Sequence, residues 1–327
     1  MSGFPRRTSR GRRRTWATKF QWILPKASSG QSNGTGGTRI VKADNVSIVI
    51  PAFNEAGAIG PVVESLRARL PEAELIVVND GSSDDTAAIA QAAGAMVISH
   101  PKNRGYGAAL RTGTLQASRA YVLFCDSDGQ HSTDDVMRII EACDGHDMVV
   151  GVRGQDSHAP LARRPGKRIL TIFADYLAGE KIPDLNSGLR MIRREVLLKY
   201  LHLMPSGFSF STTSTFAMLK TNRHIAWIPI TVAARVGQST VRQWKHGPQT
   251  LLLLLRLTVL FEPLKVFLVA SGILACFTLA SFAIDVVVSG RFNLGDSTVL
   301  LGVASLLVFL FGLLCDQVSA LRRELHE

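Results

Sequence analysis

Between residues 46 and 151 the chain alternates between two patterns. Short apolar runs rich in β-branched residues, VSIVI (46–50), ELIVV (74–78), AMVIS (95–99), YVLFC (121–125) and DMVVG (147–151), are separated by helical-looking segments at 55–70, 84–93, 107–119 and 133–143. Strands alternating with helices predict an α/β domain built on a parallel sheet covered on both faces. Runs that are apolar throughout agree with strands buried on both sides. In such sheets ligands bind beyond the C-terminal strand ends. The polar residues that follow the strands are therefore the candidate chemistry.

The pattern changes after residue 250. Residues 266–284 and 297–315 are two 19-residue stretches with no charge, fenced by Lys265 and Asp285 and by Asp296 and Asp316. At 1.5 Å per residue each spans about 28 Å, close to the hydrocarbon core of a bilayer. The short connection makes them an antiparallel hairpin. Arg256 and Lys265 precede the pair and Arg322 and Arg323 follow it, whereas the loop holds only Arg291. The positive-inside rule then places both ends, and the main domain, on the cytoplasmic side. The segment TLLLLLRLTVLFEP (250–263) is shorter, carries Arg256, Glu262 and Pro263, and reads as an in-plane interfacial helix.

Charge adds one element. The 327-residue chain has a net charge of +11. Most of it lies in residues 1–40, which hold nine Lys or Arg and no acid, so the remainder is nearly neutral. This basic, then Gly- and Ser-rich leader cannot bury enough apolar surface to order itself. Its functional reading is contact with anionic headgroups rather than nucleic acid. FQWIL is too short for a secretory signal. Cys125, Cys143, Cys276 and Cys315 form no metal or disulfide spacing, which favours a reducing compartment.

The strand ends are acidic: PAFNE (51–55), NDGSSDDT (79–86) and DSDGQH (126–131). Taken singly, DSDGQH reads as a turn, a metal site or an acid/base pair. Several carboxylates converging on one crevice repel one another unless a cation or donors compensate. Mg²⁺ or Mn²⁺ suits such oxygen ligands and keeps open positions for phosphates. Asp126 and Asp128, two residues apart at a strand end, can share one ion. His131 reads as part of the turn that orients this loop, and Tyr106, set in RGYGAA, as packing or backbone shaping.

SIVIPAFNE, IVVNDGSSDDT, KNRGYGAALRTG, DSDGQH and DLNSGLRMIRRE, in that order, resemble family-2 glycosyltransferases with a GT-A fold. More narrowly they resemble the polyprenyl-phosphate (dolichol-phosphate mannosyltransferase-like) glycosyltransferases that carry a C-terminal two-helix membrane hairpin. The resemblance implies a Rossmann-like, mixed-sheet GT-A domain with a C-terminal transmembrane hairpin. It implies that Pro51, Ala52, Asn54 and Glu55 line the donor base and ribose, and that Asp80 contacts the same end. Asp126 and Asp128 would hold Mg²⁺ or Mn²⁺ on the donor diphosphate, with Gln130 joining them. Asp184 would sit near the acceptor, as a positioning or electrostatic group, as a general base or as an ordinary helix cap; the catalytic candidates are Asp184 and Asp128. Arg153, Arg163, Arg164, Lys167, Arg168 and Arg190 would meet acceptor phosphate. RVGQST (235–240) departs from the family's Gly-x-Ser-Lys, because Thr240 stands in place of the lysine.

The expected layout is a basic tail (1–43), a GT-A domain (44–240), a juxtamembrane region (241–263), membrane helices at 264–289 and 297–316, and a cytoplasmic tail (317–327). The implied activity is metal-dependent, inverting transfer of one sugar from a nucleotide-sugar to a polyprenyl phosphate at the inner membrane. Partners are the donor, the lipid acceptor, the membrane and a second copy in a homo-oligomer. A processive polysaccharide synthase and a non-catalytic membrane adaptor are the alternatives. VRQWKHG (241–247) lacks the synthase's Gln-x-x-Arg-Trp pattern, and the intact acidic motifs disfavour an adaptor.

Overall fold

The five apolar runs form strands, at Val46–Ala52 (β1), Glu74–Asn79 (β2), Met96–Ser99 (β3), Tyr121–Phe124 (β4) and Met148–Arg153 (β5). The computed structural model describes residues 41–154, 175–176, 178–207, 209–232, 252, 255–256, 258–259, 261–290, 292 and 294–324. The basic leader, RVGQST and most of the juxtamembrane segment lie outside them. Helices Ile59–Arg69 (α1), Thr86–Ala92 (α2), Tyr106–Gln116 (α3) and Thr133–Glu141 (α4) fill the intervals. Every residue of β1 is buried. Its side chains alternate between two cores, as a period of two requires. Val49 joins Ile76, Phe124 and Val150 on one face. Ile48 and Ile50 join Leu75, Val77 and Leu123 on the other. Each such fully buried aliphatic side chain contributes about 1.5–3 kcal/mol.

The parallel sheet that the alternating pattern suggests carries one reversed strand. A strand at Arg190–Arg193 (β6) runs antiparallel between β4 and β5, and Ile225–Ile230 (β7) closes the edge, giving the order β3-β2-β1-β4-β6-β5-β7. The mixed sheet agrees with the GT-A expectation. Phe124 and Val150 both pair with Arg190. The reversed strand therefore starts where β4 and β5 end, and it brings 184–190 to the same edge as Asp126 and Arg153. Pro229 is tolerated in β7 because that strand lies at the sheet edge.

Two helices follow β6, at Arg194–Tyr200 (α5) and Phe210–Lys220 (α6). Residues 211 to 215 of α6, all Ser or Thr, are buried. The C-terminal pair spans Pro263–Ser289 (α7) and Asp296–Glu324 (α8). Both are long and apolar enough to cross a membrane and are mostly exposed along their apolar windows. Gly312 of α8 leaves no room for a Cβ against Phe267 of α7. Such small-residue contacts let apolar helices approach closely. At the far end the Asp285 carboxylate accepts from Gly295 N (2.9 Å) and Thr298 Oγ1 (2.7 Å), closing the turn.

Candidate active site

The loops after β1 and β2 are stitched together. Asn54, at φ 55°, donates its N–H to Ser82 Oγ (2.9 Å) and accepts from Ser83 N (2.9 Å). Asn is among the few residues that tolerate the left-handed region. Glu55 N donates to Thr86 Oγ1 (2.9 Å) and Ala56 N to Asp84 Oδ2 (3.2 Å). Burial pushes the Asp84 carboxyl up, but donors from Thr86 and Ala56 hold it below its ordinary value. Pro51 and Ala52 are buried beneath this seam, whereas Asn54 is exposed on it.

Asp80 is only 3 % exposed. Its oxygens accept from Arg104 N (2.9 Å) and Gly105 N (2.8 Å), and His100 Nδ1 lies 2.6 Å away. The far His100 nitrogen is 2.9 Å from Thr112 Oγ1 on α3. The described partners of Asp80 thus make it the anchor of the 100–105 loop. Gly81, at φ 74°, is required here because a Cβ would sit 2.6 Å from Asn103 N. The sequence motif signalled Asp80 but not His100.

Strand β4 delivers Asp126 and Asp128. Gly129 turns the chain at φ 71°, and Ser132 then caps α4 by accepting from Asp135 N (3.1 Å). Asp126, with a 32 % exposed side chain, accepts from the Tyr106 hydroxyl (2.8 Å), and its second oxygen lies 3.7 Å from His131 Nε2. Burial pushes its carboxyl up; His131, Tyr106 and the Arg153 charge outweigh this and leave it below its ordinary value. Burial likewise drives the Tyr106 phenol well above its ordinary value, with the Asp126 charge adding to it, so the hydroxyl keeps its proton. Asp128 is buried and accepts from Gln130 N (3.1 Å).

A cation at this strand end would meet oxygen donors, the Asp126 and Asp128 carboxylates and, as the resemblance implies, the Gln130 amide carbonyl. That chemistry fits a hard divalent cation. Among the described residues no three His, Cys, Asp or Glu converge on one point. A cation held by Asp126 and Asp128 would therefore retain coordination positions for substrate oxygens.

Asp184 and Arg153 meet across the ends of β5 and β6. Arg153 Nε and NH2 grip both carboxylate oxygens (2.7 and 2.9 Å), and the backbone N–H groups of Arg153 (3.3 Å) and Asn186 (3.2 Å) also donate to it. Burial raises the Asp184 carboxyl, but the Arg153 bonds and charge win and hold it below its ordinary value.

The expectation that Arg190 faces phosphate is corrected. Arg190 is fully buried. Its NH1 donates to Ser211 O (2.6 Å), Ser214 Oγ (2.9 Å) and Thr215 Oγ1 (3.0 Å), and Nε and NH2 both donate to Ser187 O. The register that pairs residue 190 with Phe124 and Val150 turns this side chain into the domain, toward the hydroxyl face of α6. Burial lowers its guanidinium to about 10, so it stays charged at neutral pH. The other basic candidates, Arg163, Arg164, Lys167 and Arg168, lie outside the described residues.

Comparison with known proteins agrees with this geometry. Residues 47–201 match the family described as "Glycosyl transferase family 2" and residues 262–321 the "GtrB C-terminal hairpin". The chain is 31 % identical over 209 residues to a dolichyl-phosphate hexose transferase of Haloferax volcanii, covering 62 % of this chain and 90 % of that one. It is 28 % identical over 204 residues to a polyprenol monophosphomannose synthase of Mycolicibacterium smegmatis, covering 58 % and 77 %. Among solved structures, glucosyl-3-phosphoglycerate synthase of Mycobacterium tuberculosis in complex with Mn²⁺, UDP and phosphoglyceric acid superposes with a TM-score of 0.56, over 69 % of this chain and 85 % of that one. At 23 % identity that likeness establishes the shared fold. The fold, the acidic strand ends and the extent of the match together establish that the chain belongs to glycosyl transferase family 2: it is a glycosyltransferase that carries the GtrB C-terminal hairpin.

Proposed function

We propose that the protein transfers a single sugar, with inversion, from a nucleotide-diphospho-sugar to a polyprenyl phosphate, with its hairpin in the inner membrane and its catalytic domain on the cytoplasmic face. The observation that carries this reading is the Arg153–Asp184 pair at the same sheet edge as Asp126. It sets a cationic group and a fixed anion beside the donor-side carboxylates, on a domain that ends in a membrane-length hairpin. The polyprenol-linked activities in the relatives' names support the acceptor class.

The residues divide the work as follows. The seam of Pro51, Ala52, Asn54 and Glu55 receives the nucleoside end, and Asp80 holds the neighbouring loop in place. Asp126, Asp128 and Gln130 would hold Mg²⁺ or Mn²⁺, which would supply Lewis-acid stabilisation of the charge that grows on the leaving diphosphate. A phosphate monoester is mostly dianionic at pH 7, so the acceptor oxygen attacks without needing a base. Asp184 suits this division: a carboxylate held below its ordinary range is a poor proton acceptor but a good fixed anion beside an oxocarbenium-like centre. Arg153, together with the basic run at Arg163, Arg164, Lys167 and Arg168, offsets the repulsion between two anionic substrates. Direct displacement by the acceptor inverts the anomeric centre.

The test is a panel of labelled nucleotide-sugars supplied to membranes containing the protein, with Mg²⁺ or Mn²⁺ and a short polyprenyl phosphate. The expected result is a lipid-soluble, mild-acid-labile product carrying one sugar in one lane, abolished by EDTA. A polymeric product would support a processive synthase instead. No product from any donor, with folded protein, would overturn the reading.

A further inference from the structure

We infer that Tyr106 is a positioning residue that fixes the Asp126 carboxylate for its cation, with Gly188 as the second jaw of the same clamp. The inference rests on the proposed role of Asp126 as a metal ligand. An Asp carboxylate turns readily about its terminal torsion, which is broad and roughly two-fold. At Asp126 that freedom is removed. The Tyr106 hydroxyl donates to Oδ1 at 2.8 Å. A Cβ on Gly188 would overlap the carboxylate, lying 2.9 Å from Cγ and 3.0 Å from Oδ1. The glycine therefore lets the reversed strand's approach press its backbone against this side chain. His131 Nε2 stands off at 3.7 Å, so the tyrosine supplies the close donor.

The tyrosine is itself held at its base. It is the first residue of α3, preceded by Gly105 at φ 100°, whose N–H is bound by Asp80. Ala108 N donates to Ser206 O (3.1 Å). A Cβ on Gly105 would sit 2.6 Å from Ser206 O, and one on Gly107 2.7 Å from Gly207 O. The RGYG motif thus seats the helix start directly on the 205–207 backbone and aims one phenol at one carboxylate. It also links Asp80 to Asp126 through two consecutive residues, Gly105 and Tyr106. A ligand held in place before the cation arrives costs less to order on binding.

The experiment measures Mn²⁺ binding to the full-length protein in detergent by electron paramagnetic resonance, alone and with the nucleoside diphosphate that binds the wild type. Tyr106→Phe removes only the hydroxyl. Its Mn²⁺ affinity is expected to fall about tenfold or more, while its kcat at saturating Mn²⁺ stays within a few-fold of wild type. Gly188→Ala keeps the tyrosine but crowds the carboxylate, and is expected to weaken Mn²⁺ in the same direction. Asp126→Asn marks the loss of the ligand itself. Unchanged Mn²⁺ affinity in a folded Tyr106→Phe or Gly188→Ala protein would overturn the inference, as would a kcat loss that excess metal does not restore. Wild type that binds no Mn²⁺ under either condition would overturn the metal reading, and this inference with it.

Discussion

At the scale of single residues, the Arg153–Asp184 pair makes the sharpest demands. Asp184→Asn should cut turnover by roughly a hundredfold, in the range seen when a fixed electrostatic group is removed, while donor binding by calorimetry stays unchanged. The pair also sets an acid limit. Because the folded-state Asp184 carboxyl is lowered, its ionised form stabilises the protein above the unfolded-state value, and this contribution is lost as pH falls through the folded value. In Arg153→Met only burial and the remaining backbone donors act, so the carboxyl moves up. The acid-side fall in melting temperature should then begin at a higher pH than in wild type. Arg190 behaves differently. Arg190→Met removes the described donors of Ser187 O and one donor each from Ser211 O, Ser214 Oγ and Thr215 Oγ1, and a stranded buried group costs about 1–3 kcal/mol. A large drop in melting temperature is expected, where a surface phosphate contact would leave stability unchanged. Asp126 and Asp128 were legible because two acids after an apolar strand are chemically unusual. The role of Arg190 was not, because sequence does not distinguish an arginine aimed at solvent from one aimed at a hydroxyl-lined interior.

At the scale of elements, the glycines of α3 report how closely the helix lies on the sheet. A Cβ on Gly113 would overlap the Val49 side chain at the centre of β1. Gly113→Ala should destabilise by about 1–3 kcal/mol, the usual cost of overpacking. Gly57→Ala, where nothing lies within 4 Å of the new atom, should leave the melting temperature where it is and serves as the control. The first five strands and four helices were legible because their apolar runs and intervals are clear. The later elements were hidden for physical reasons. β6 reads RMIR, with a charge at each end, and its burial depends on neighbours far away in sequence. α6 reads FSTTSTFAMLK and shows no clear apolar stripe, because five buried Ser and Thr residues, two of them bonded to the Arg190 guanidinium, interrupt its apolar positions. The antiparallel insertion that completes the site belongs to strand order, which no local pattern carries.

At the scale of the whole molecule, the two apolar helices of the hairpin were legible from composition, since two long charge-free stretches stand out, although the second helix runs on to Glu324 past the expected end at 316. What joins it to the catalytic domain was not. Lys220, at the end of α6, has a side chain only 3 % exposed; it donates to Ala178 O (3.1 Å) and to Glu262 (2.7 Å), the residue just before α7. Lys265 in the first turn of α7 lies 3.6 Å from the same carboxylate. Glu262 is substantially exposed, so the ion pair itself contributes no more than about 1 kcal/mol. Its effect should show in geometry instead. Lys220→Met is expected to lower turnover several-fold on a long-chain acceptor in bilayers, while activity on a short acceptor in detergent stays near wild type. Equal losses in both assays would assign Lys220 to folding alone.

One end of α6 binds the arginine beneath the carboxylates and the other binds the threshold of the anchor. Nine residue steps separate Ser211 from Lys220, about 14 Å of helix. On the proposed function, that length would act as a gauge between the sugar-transfer site and the first apolar helix of the hairpin. A lipid-phosphate acceptor, as proposed, would have to reach that site. Bilayers of different thickness or headgroup depth should therefore present the same lipid phosphate at different effective concentrations, and the protein would register membrane composition as a change in rate.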